Sequence, residues 1–380
     1  MSLAGAVSTE AFHLETQRLA ILSATRLDVI KFWNTDSKSK CAQQLTMRLD
    51  DSRGRPLRDL RISVTDRCNF RCTYCMPREH FGHEYQFLAK EKILSYEEII
   101  VIISSLLPLG IEKIRLTGGE PLMRRNIVEL IRQIRSLDEQ IDIAITTNGI
   151  LLEKYALQLK EAGLSRVTVS LDALENDIFQ SLSDTTNSVD EVLQGIRSCE
   201  RFKLPVKVNC VIQKGVNESQ IIPVVKYFNQ QSITPRFIEY MDVGSTNSWN
   251  YDSVVTGVEM RKIIEQEFGL LEKVQPNYRG EVANLWKMQN GGEVGFIESV
   301  TEPFCGDCSR ARLSADGSIY TCLFATEGHN VRSILRMDAS QEQIGDAIGA
   351  IWKNRNDNYS ELRGKVESAK DRVEMSYIGG

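Results

Sequence analysis

Three cysteines at C-x3-C-x2-C spacing, Cys68, Cys72 and Cys75, stand in the run Thr-Asp-Arg-Cys-Asn-Phe-Arg-Cys-Thr-Tyr-Cys-Met-Pro. Three thiolates on one short loop can hold three corners of a [4Fe–4S] cluster and leave the fourth iron open to a ligand from outside the protein. Ferredoxin-type sites close that position with a fourth cysteine, and structural zinc takes four protein ligands, commonly at C-x2-C spacing. No fourth cysteine stands near this loop, so the spacing points to an open-iron cluster. His80 and His83 are the side chains that keep a zinc site as the alternative.

A second set, Cys305-x2-Cys308-x13-Cys322, repeats the arrangement of three thiols without a local fourth. The turn signal Asp316-Gly317 predicts a hairpin that returns Cys322 to Cys305 and Cys308. His329 could complete a Cys3His zinc site here. Arg310 and Arg312 alternate along the hairpin strand, so both take one face and form a clamp suited to an anion such as phosphate. Lys207 and Asn209 alternate in the same way between Val206, Val208 and Cys210. A lysine on the inner face of a sheet needs a partner, either a carboxylate or, with the arginines nearby, a phosphate ligand. Cys41, Cys199 and Cys210 stand alone and read as small hydrophobes.

These residues need a scaffold, and from Leu60 the chain alternates strand-like and helix-like stretches. Strands are expected at 61–65, 113–117, 142–147, 166–171, 206–213 and 236–241. Helices are expected at 96–109, 125–137, 152–162, 189–202, 219–230 and 257–268, the first from the apolar face Ile99, Ile102, Ile103, Leu106 and Leu107. Six β/α units imply an α/β fold with a parallel sheet, either doubly wound or curled, and we expect an incomplete (β/α)6 TIM-type barrel with an open side. The cysteine loop, Gly118-Gly119-Glu120-Pro121, Thr146-Thr147-Asn148-Gly149, Ser170-Leu171-Asp172 and Glu239-Tyr240-Met241 all fall at carboxyl ends of strands, the active-site face of such folds. Gly118 and Gly119 would let backbone approach a ligand, with NH and carbonyl groups suited to an amino-acid moiety. The reading divides the chain into an extension at 1–46 with a helix at 18–33, the barrel at 47–269, and a smaller C-terminal Fe–S region at 270–380.

The 380 residues carry a hydrophobic share of 42%, a charged share of 26% and a net charge of −5. That balance implies neither nucleic acid nor an anionic membrane as partner, and no apolar run approaches the length of a membrane span. Nine cysteines without a secretory signal point to a reducing, cytoplasmic setting, although the extension leaves organellar import open.

The C-x3-C-x2-C loop followed by Gly-Gly-Glu-Pro resembles the radical S-adenosylmethionine superfamily. From about Arg53 to Gly380 the chain is similar to the GTP 3′,8-cyclases of molybdenum cofactor biosynthesis. The resemblance rests on Leu-Arg-Ile-Ser-Val-Thr-Asp-Arg-Cys, Ile-Arg-Leu-Thr-Gly-Gly-Glu-Pro-Leu, Phe-Ile-Glu-Tyr-Met, the second cysteine set and the terminal Gly379-Gly380. It implies two [4Fe–4S] clusters, one on each cysteine set, and S-adenosylmethionine contacts at Tyr74, Gly119, Ser170 and Met241. GTP contacts are implied at Arg61, Arg115, Thr146, Thr147, Lys207, Arg310, Ala311 and Arg312, and a catalytic role for Gly379 and Gly380. The implied reaction runs from reductive cleavage of S-adenosylmethionine through hydrogen abstraction at C3′ of GTP and attack on C8 to 3′,8-cyclo-GTP. The implied partners are a low-potential flavodoxin- or ferredoxin-like donor, a second copy in a homodimer, and the downstream cyclic pyranopterin monophosphate synthase. A peptide-modifying enzyme with two clusters and a non-catalytic metal protein are the competing readings. Anaerobic reconstitution should load about eight iron and eight sulfide per chain, and Cys322→Ala should remove half. Bound zinc with a single cluster would overturn that expectation.

Overall fold

The computed structural model describes residues 48–276, 278–363 and 372–380. The expected helix at 18–33, Cys41 and the rest of the extension lie outside the described residues. Six strands carry the architecture: β1 (Asp59–Ser63), β2 (Lys113–Thr117), β3 (Asp142–Thr147), β4 (Arg166–Ser170), β5 (Val206–Ile212) and β6 (Pro235–Glu239). Parallel strands covered on both faces normally read as continuous apolar runs. These alternate. In β2, Ile114 and Leu116 are fully buried while Lys113 and Arg115 occupy the opposite face. In β4, Val167 and Val169 oppose Arg166, Thr168 and Ser170, and in β5, Val208 and Cys210 oppose Lys207 and Asn209. The apolar face joins the helices in one hydrophobic core, which also takes the lone Cys199 and Cys210.

The six strands are neighbours in unbroken chain order and all pair in parallel. Right-handed crossovers between neighbours in such an order place every connecting helix on one face. The other face turns inward, and the result is an incomplete (β/α)6 barrel rather than a doubly wound sheet, whose strand order would reverse. Both edges are extended by the chain after Gly269. β9 (Glu293–Ile297) joins β6 in parallel and carries β8 (Asn284–Lys287) and β7 (Glu272–Lys273) as an antiparallel ribbon. β10 (Arg310–Leu313) joins β1 in parallel and carries β11 (Ser318–Tyr320) and β12 (His329–Asn330).

Helix boundaries follow local chemistry. Ser95 with Glu98, Ser188 with Glu191 and Thr256 with Glu259 form capping boxes that open Tyr96–Leu106, Val189–Arg201 and Gly257–Phe268. The first of these helices ends at Leu106, short of the expected 109. Pro108 has no N–H to continue the ladder, and a single 3-10 turn, Leu107–Leu109, closes on Gly110 at φ 100°. The first strand starts two residues earlier than expected because its register is set by β2 and β10, and residues 65–67 already belong to the cysteine loop. An unanticipated helix, Asn176–Ser183, precedes Val189–Arg201; its function becomes clear at the site.

Candidate active site

The polar face of the curled sheet encloses a cavity of about 600 Å³, and all six cysteines of the two sets line it. The first set follows the carboxyl end of β1. The second begins before β10, which pairs with β1 in the register Asp59 with Arg310 and Arg61 with Arg312. Cys305 and Cys308 therefore lie at the amino end of the strands, opposite the first set. The hairpin pairing of Arg312 with Tyr320 returns Cys322 to the same end, as the Asp316-Gly317 turn predicts. At ~3.3 Å per residue, the length of β1 separates the two sets by roughly 16 Å.

The first loop is fixed from three sides. Main-chain N–H groups of Arg71 and Thr73 donate to the carbonyls of Ser183 and Leu182, at 3.0 and 2.9 Å, so the Asn176–Ser183 helix buttresses the loop. The Arg71 guanidinium donates to the carbonyls of Cys68, Phe70 and Phe81. The glycine pair packs against the third side. A Cβ on Gly118, which has φ +138°, would meet the Thr65 carbonyl oxygen at 2.3 Å, and one on Gly119 would meet the Arg67 carbonyl oxygen at 2.2 Å. The N–H groups of Gly119 and Glu120 donate to those same carbonyls at 2.8 Å. This corrects the expectation for the Gly119 N–H: it serves the cysteine loop and is not available to a ligand, although both glycines line the cavity.

Glu120 is buried and accepts from the Leu122 N–H, the Thr147 hydroxyl and the Asn148 N–H, tying the loops after β2 and β3 together. Burial lifts its carboxyl to about 7. Thr147 is thus committed to the protein. The Tyr74 hydroxyl donates to Asp172, whose second oxygen accepts from the Val211 N–H; burial raises Asp172 to about 6. Burial, with Glu120 adding to it, pushes the Cys68 thiol up to about 12, and burial likewise raises Cys72 and Cys75. Clustered soft donors that stay protonated until a metal charge arrives suit an iron–sulfur cluster.

The second set has different surroundings. Arg55 donates to the Cys305 carbonyl at 2.9 Å and Arg355 to the Cys308 carbonyl at 2.7 Å. Burial raises the Cys308 thiol, but Arg310 and Arg355 outweigh it and bring it down to about 6. For Cys322 burial outweighs the Phe324 N–H and Arg355 and raises the thiol to about 11. The alternative zinc ligands are placed elsewhere: His329 is exposed on β12, His80 and His83 are exposed, and none lines the cavity.

Cations occupy the wall between the two sets. Arg61, Arg115, Lys207, Arg310 and Arg312 line it as expected, and so do Lys113, Arg166 and Arg236, which sequence reasoning missed. The missed signal was a cation at alternate positions of a strand read as buried. Burial, then Arg115, lowers Arg61 to about 9; burial lowers Lys113 and Lys207 to about 8. Arg115 donates to the hydroxyls of Thr146 and Thr168 at 2.9 and 3.2 Å. Among the described residues, the buried Nε atoms of Arg61, Arg115 and Arg236 and Oδ1 of Asn209 find no hydrogen-bond partner. The three orphaned guanidinium donors fit a polyanionic ligand, and the Asn209 oxygen is left as an acceptor for a ligand N–H or O–H. Ser170 and Met241 also line the cavity. Ala311 does not: alternation turns its methyl group into the hydrophobic core, leaving only its main chain for a ligand. The C-terminus does reach in. Gly380 lines the cavity, Gly379 is buried at φ +80°, and Arg312 donates to the Gly379 carbonyl.

Residues 62–228 match the model of the Radical SAM superfamily and residues 233–361 that of Molybdenum Cofactor Synthesis C. A GTP 3′,8-cyclase of Staphylococcus haemolyticus is 46% identical over 342 residues, covering 88% of this chain and 100% of the relative. One from Staphylococcus epidermidis is 47% identical over 337 residues, covering 87% and 99%. The chain belongs to the GTP 3′,8-cyclase family. Among solved structures, Streptococcus suis SuiB shares the fold at TM-score 0.55 and 14% identity, over 86% of this chain and 74% of that one. Its form bound to S-adenosylmethionine aligns at TM-score 0.54 and 14% identity, over 85% and 78%. Among the described residues no helix is long and apolar enough to cross a membrane.

The packing of the glycine pair yields a direct test. Gly119→Ala should displace the cysteine loop, lowering reconstituted iron from about eight to about four per chain while far-ultraviolet circular dichroism stays unchanged. Full iron in that variant would show that the loop tolerates the methyl group.

Proposed function

We propose that this chain converts GTP to (8S)-3′,8-cyclo-7,8-dihydroguanosine 5′-triphosphate, the first step of molybdenum cofactor biosynthesis, inside the cavity of its incomplete barrel. One observation carries the reading: two sets of three cysteines face each other across one cavity whose wall between them is cationic. In this reading Cys68, Cys72 and Cys75 hold one [4Fe–4S] cluster and Cys305, Cys308 and Cys322 the other, each with an iron open to a non-protein ligand. With both clusters and S-adenosylmethionine bound, the cofactors supply the electron and the carbon radical that removes hydrogen from C3′ of GTP.

The protein orients and encloses. Tyr74, Gly119, Ser170 and Met241 surround S-adenosylmethionine at the carboxyl end of the strands, with the Tyr74 hydroxyl fixed by Asp172. Arg61, Lys113, Arg115, Lys207, Arg236, Arg310 and Arg312 provide donors for the triphosphate, and Thr146 holds the Arg115 fork in place. The Ala311 main chain lies between Arg310 and Arg312 on the wall beside the second set. C3′ and C8 belong to one GTP molecule, so the protein's part is to hold the nucleotide in the conformer that brings the two carbons together. A low-potential flavodoxin- or ferredoxin-like donor, a homodimeric state, a cytoplasmic location and hand-off of product to cyclic pyranopterin monophosphate synthase complete the proposal.

Anaerobically reconstituted protein with S-adenosylmethionine and dithionite should form 5′-deoxyadenosine and cyclic product only when GTP is present. Arg310→Ala should weaken GTP binding by about 2–5 kcal/mol, the usual cost of truncating a buried charge partner, with iron content intact. Turnover independent of GTP, or unaltered GTP affinity in the variant, would sink the assignment.

The tail gives a second test. At φ +80° and with Thr117 Cγ2 only 2.3 Å from a would-be Cβ, position 379 accepts glycine alone. Gly379→Val should cost about 1–3 kcal/mol of tail seating and cut cyclisation by about tenfold or more, with clusters and GTP binding retained. Parental turnover in this variant or in a deletion of Gly379 and Gly380 would return the tail to a frayed terminus.

A further inference from the structure

Arg355 follows the helix Gln341–Lys353 and is buried, with 4% of its surface exposed. Its Nη2 donates to the Cys308 Sγ at 3.2 Å, and its Nη1 to the Cys308 carbonyl at 2.7 Å. The guanidinium lies 4.5 Å over the Trp352 ring and pairs with Asp357 at 3.2 Å and Asp51 at 3.4 Å. Asp51 also pairs with Arg55 at 2.6 Å, and Arg55 reaches the Cys305 carbonyl. One buried carboxylate near the start of the described chain thus orders two arginines around two cysteines of the second set. The carboxylates offset part of the guanidinium charge, but they also fix the fork so that one N–H stays aimed at sulfur.

The first set has different surroundings. Arg71 reaches the Cys68 carbonyl at 2.9 Å, but among the described residues no guanidinium donates to a sulfur of this set: a main-chain N–H, that of Phe70, donates to Cys68 Sγ at 3.4 Å, and the carboxyls Glu120 and Asp172 line the cavity beside it. Reducing an iron–sulfur cluster adds negative charge, which N–H···S bonds and adjacent cations stabilise and adjacent carboxylates oppose. We infer that Arg355 is a positioning residue that sets the reduction potential of the cluster on Cys305, Cys308 and Cys322 above that of the first cluster. This rests on the assignment of those cysteines as ligands.

The test is a redox titration of the full-length protein carrying both clusters, followed by electron paramagnetic resonance. The second cluster's signal is the one absent from Cys322→Ala. Its midpoint should lie above that of the first cluster in the parent protein. In Arg355→Gln it should move to more negative potential while the first midpoint stays put. Arg355→Lys keeps the charge but loses the fork, and should give a smaller shift of the same sign. A second midpoint unmoved in both variants overturns the inference. Loss of the second cluster from both, with the first retained, also overturns it, leaving Arg355 as an anchor for the loop. Retention of both signals in Cys322→Ala would instead overturn the ligand assignment itself.

Discussion

Burying like charges on the inside of a parallel sheet is unfavourable, and most of this structure can be understood as the means of tolerating it. Arg61, Lys113, Arg115, Lys207 and Arg236 face one cavity, and withdrawal from water weakens the charged form of each. Two ion pairs at the amino ends of the strands, Lys113 with Asp59 and Arg166 with Asp142, compensate in part. Glu281 acts on Lys207 and Arg236 from the same cavity, and a bound polyanion would add to this compensation. The outer face, built of Ile, Val and Leu under helices, provides the burial that holds such a wall together.

The same sheet acts as a spacer. β1 carries one cysteine set beyond its carboxyl end, and its partner β10 carries the other before its amino end. Because the pairing register of parallel strands is specified by which residues face the core, a slip of one residue would turn Arg310 and Arg312 outward and Ala311 inward. The separation of the two sets, the direction of the arginines and the closure of the cavity edge are therefore one geometric decision, made by the Leu60–Ala311 and Ile62–Leu313 pairs.

Much of this was legible in the chain. The cysteine spacings, the six β/α units and the Asp316-Gly317 hairpin rest on local rules, and local rules read well from sequence. Lys113 and Arg236 were passed over because a charged residue in an apparently buried strand looks like noise until the sheet is known to curl. Gly118 and Gly119 were read as ligand-facing because sequence shows that a close approach is needed, but not to what. The Arg355 clamp had no signal at all: its link to Asp51 spans 304 residues. Ala311 was carried with its arginine neighbours, and alternation alone separates its side chain from theirs.

The pairing of β10 with β1 also orders events during synthesis. The first cysteine loop, its glycine brace and the Asn176–Ser183 buttress are all encoded before residue 184, so that site can form while the chain is still emerging. The second cannot. Its cysteines await a strand some 250 residues downstream of β1, its clamp awaits Arg355, and the cavity gains Gly379 and Gly380 later still. A nascent chain halted at residue 300 would hold a complete first cysteine site in an unclosed sheet, with nothing to confine reactive chemistry. With the last wall and the glycine tail encoded after the barrel strands, the site cannot be enclosed until synthesis has passed residue 380.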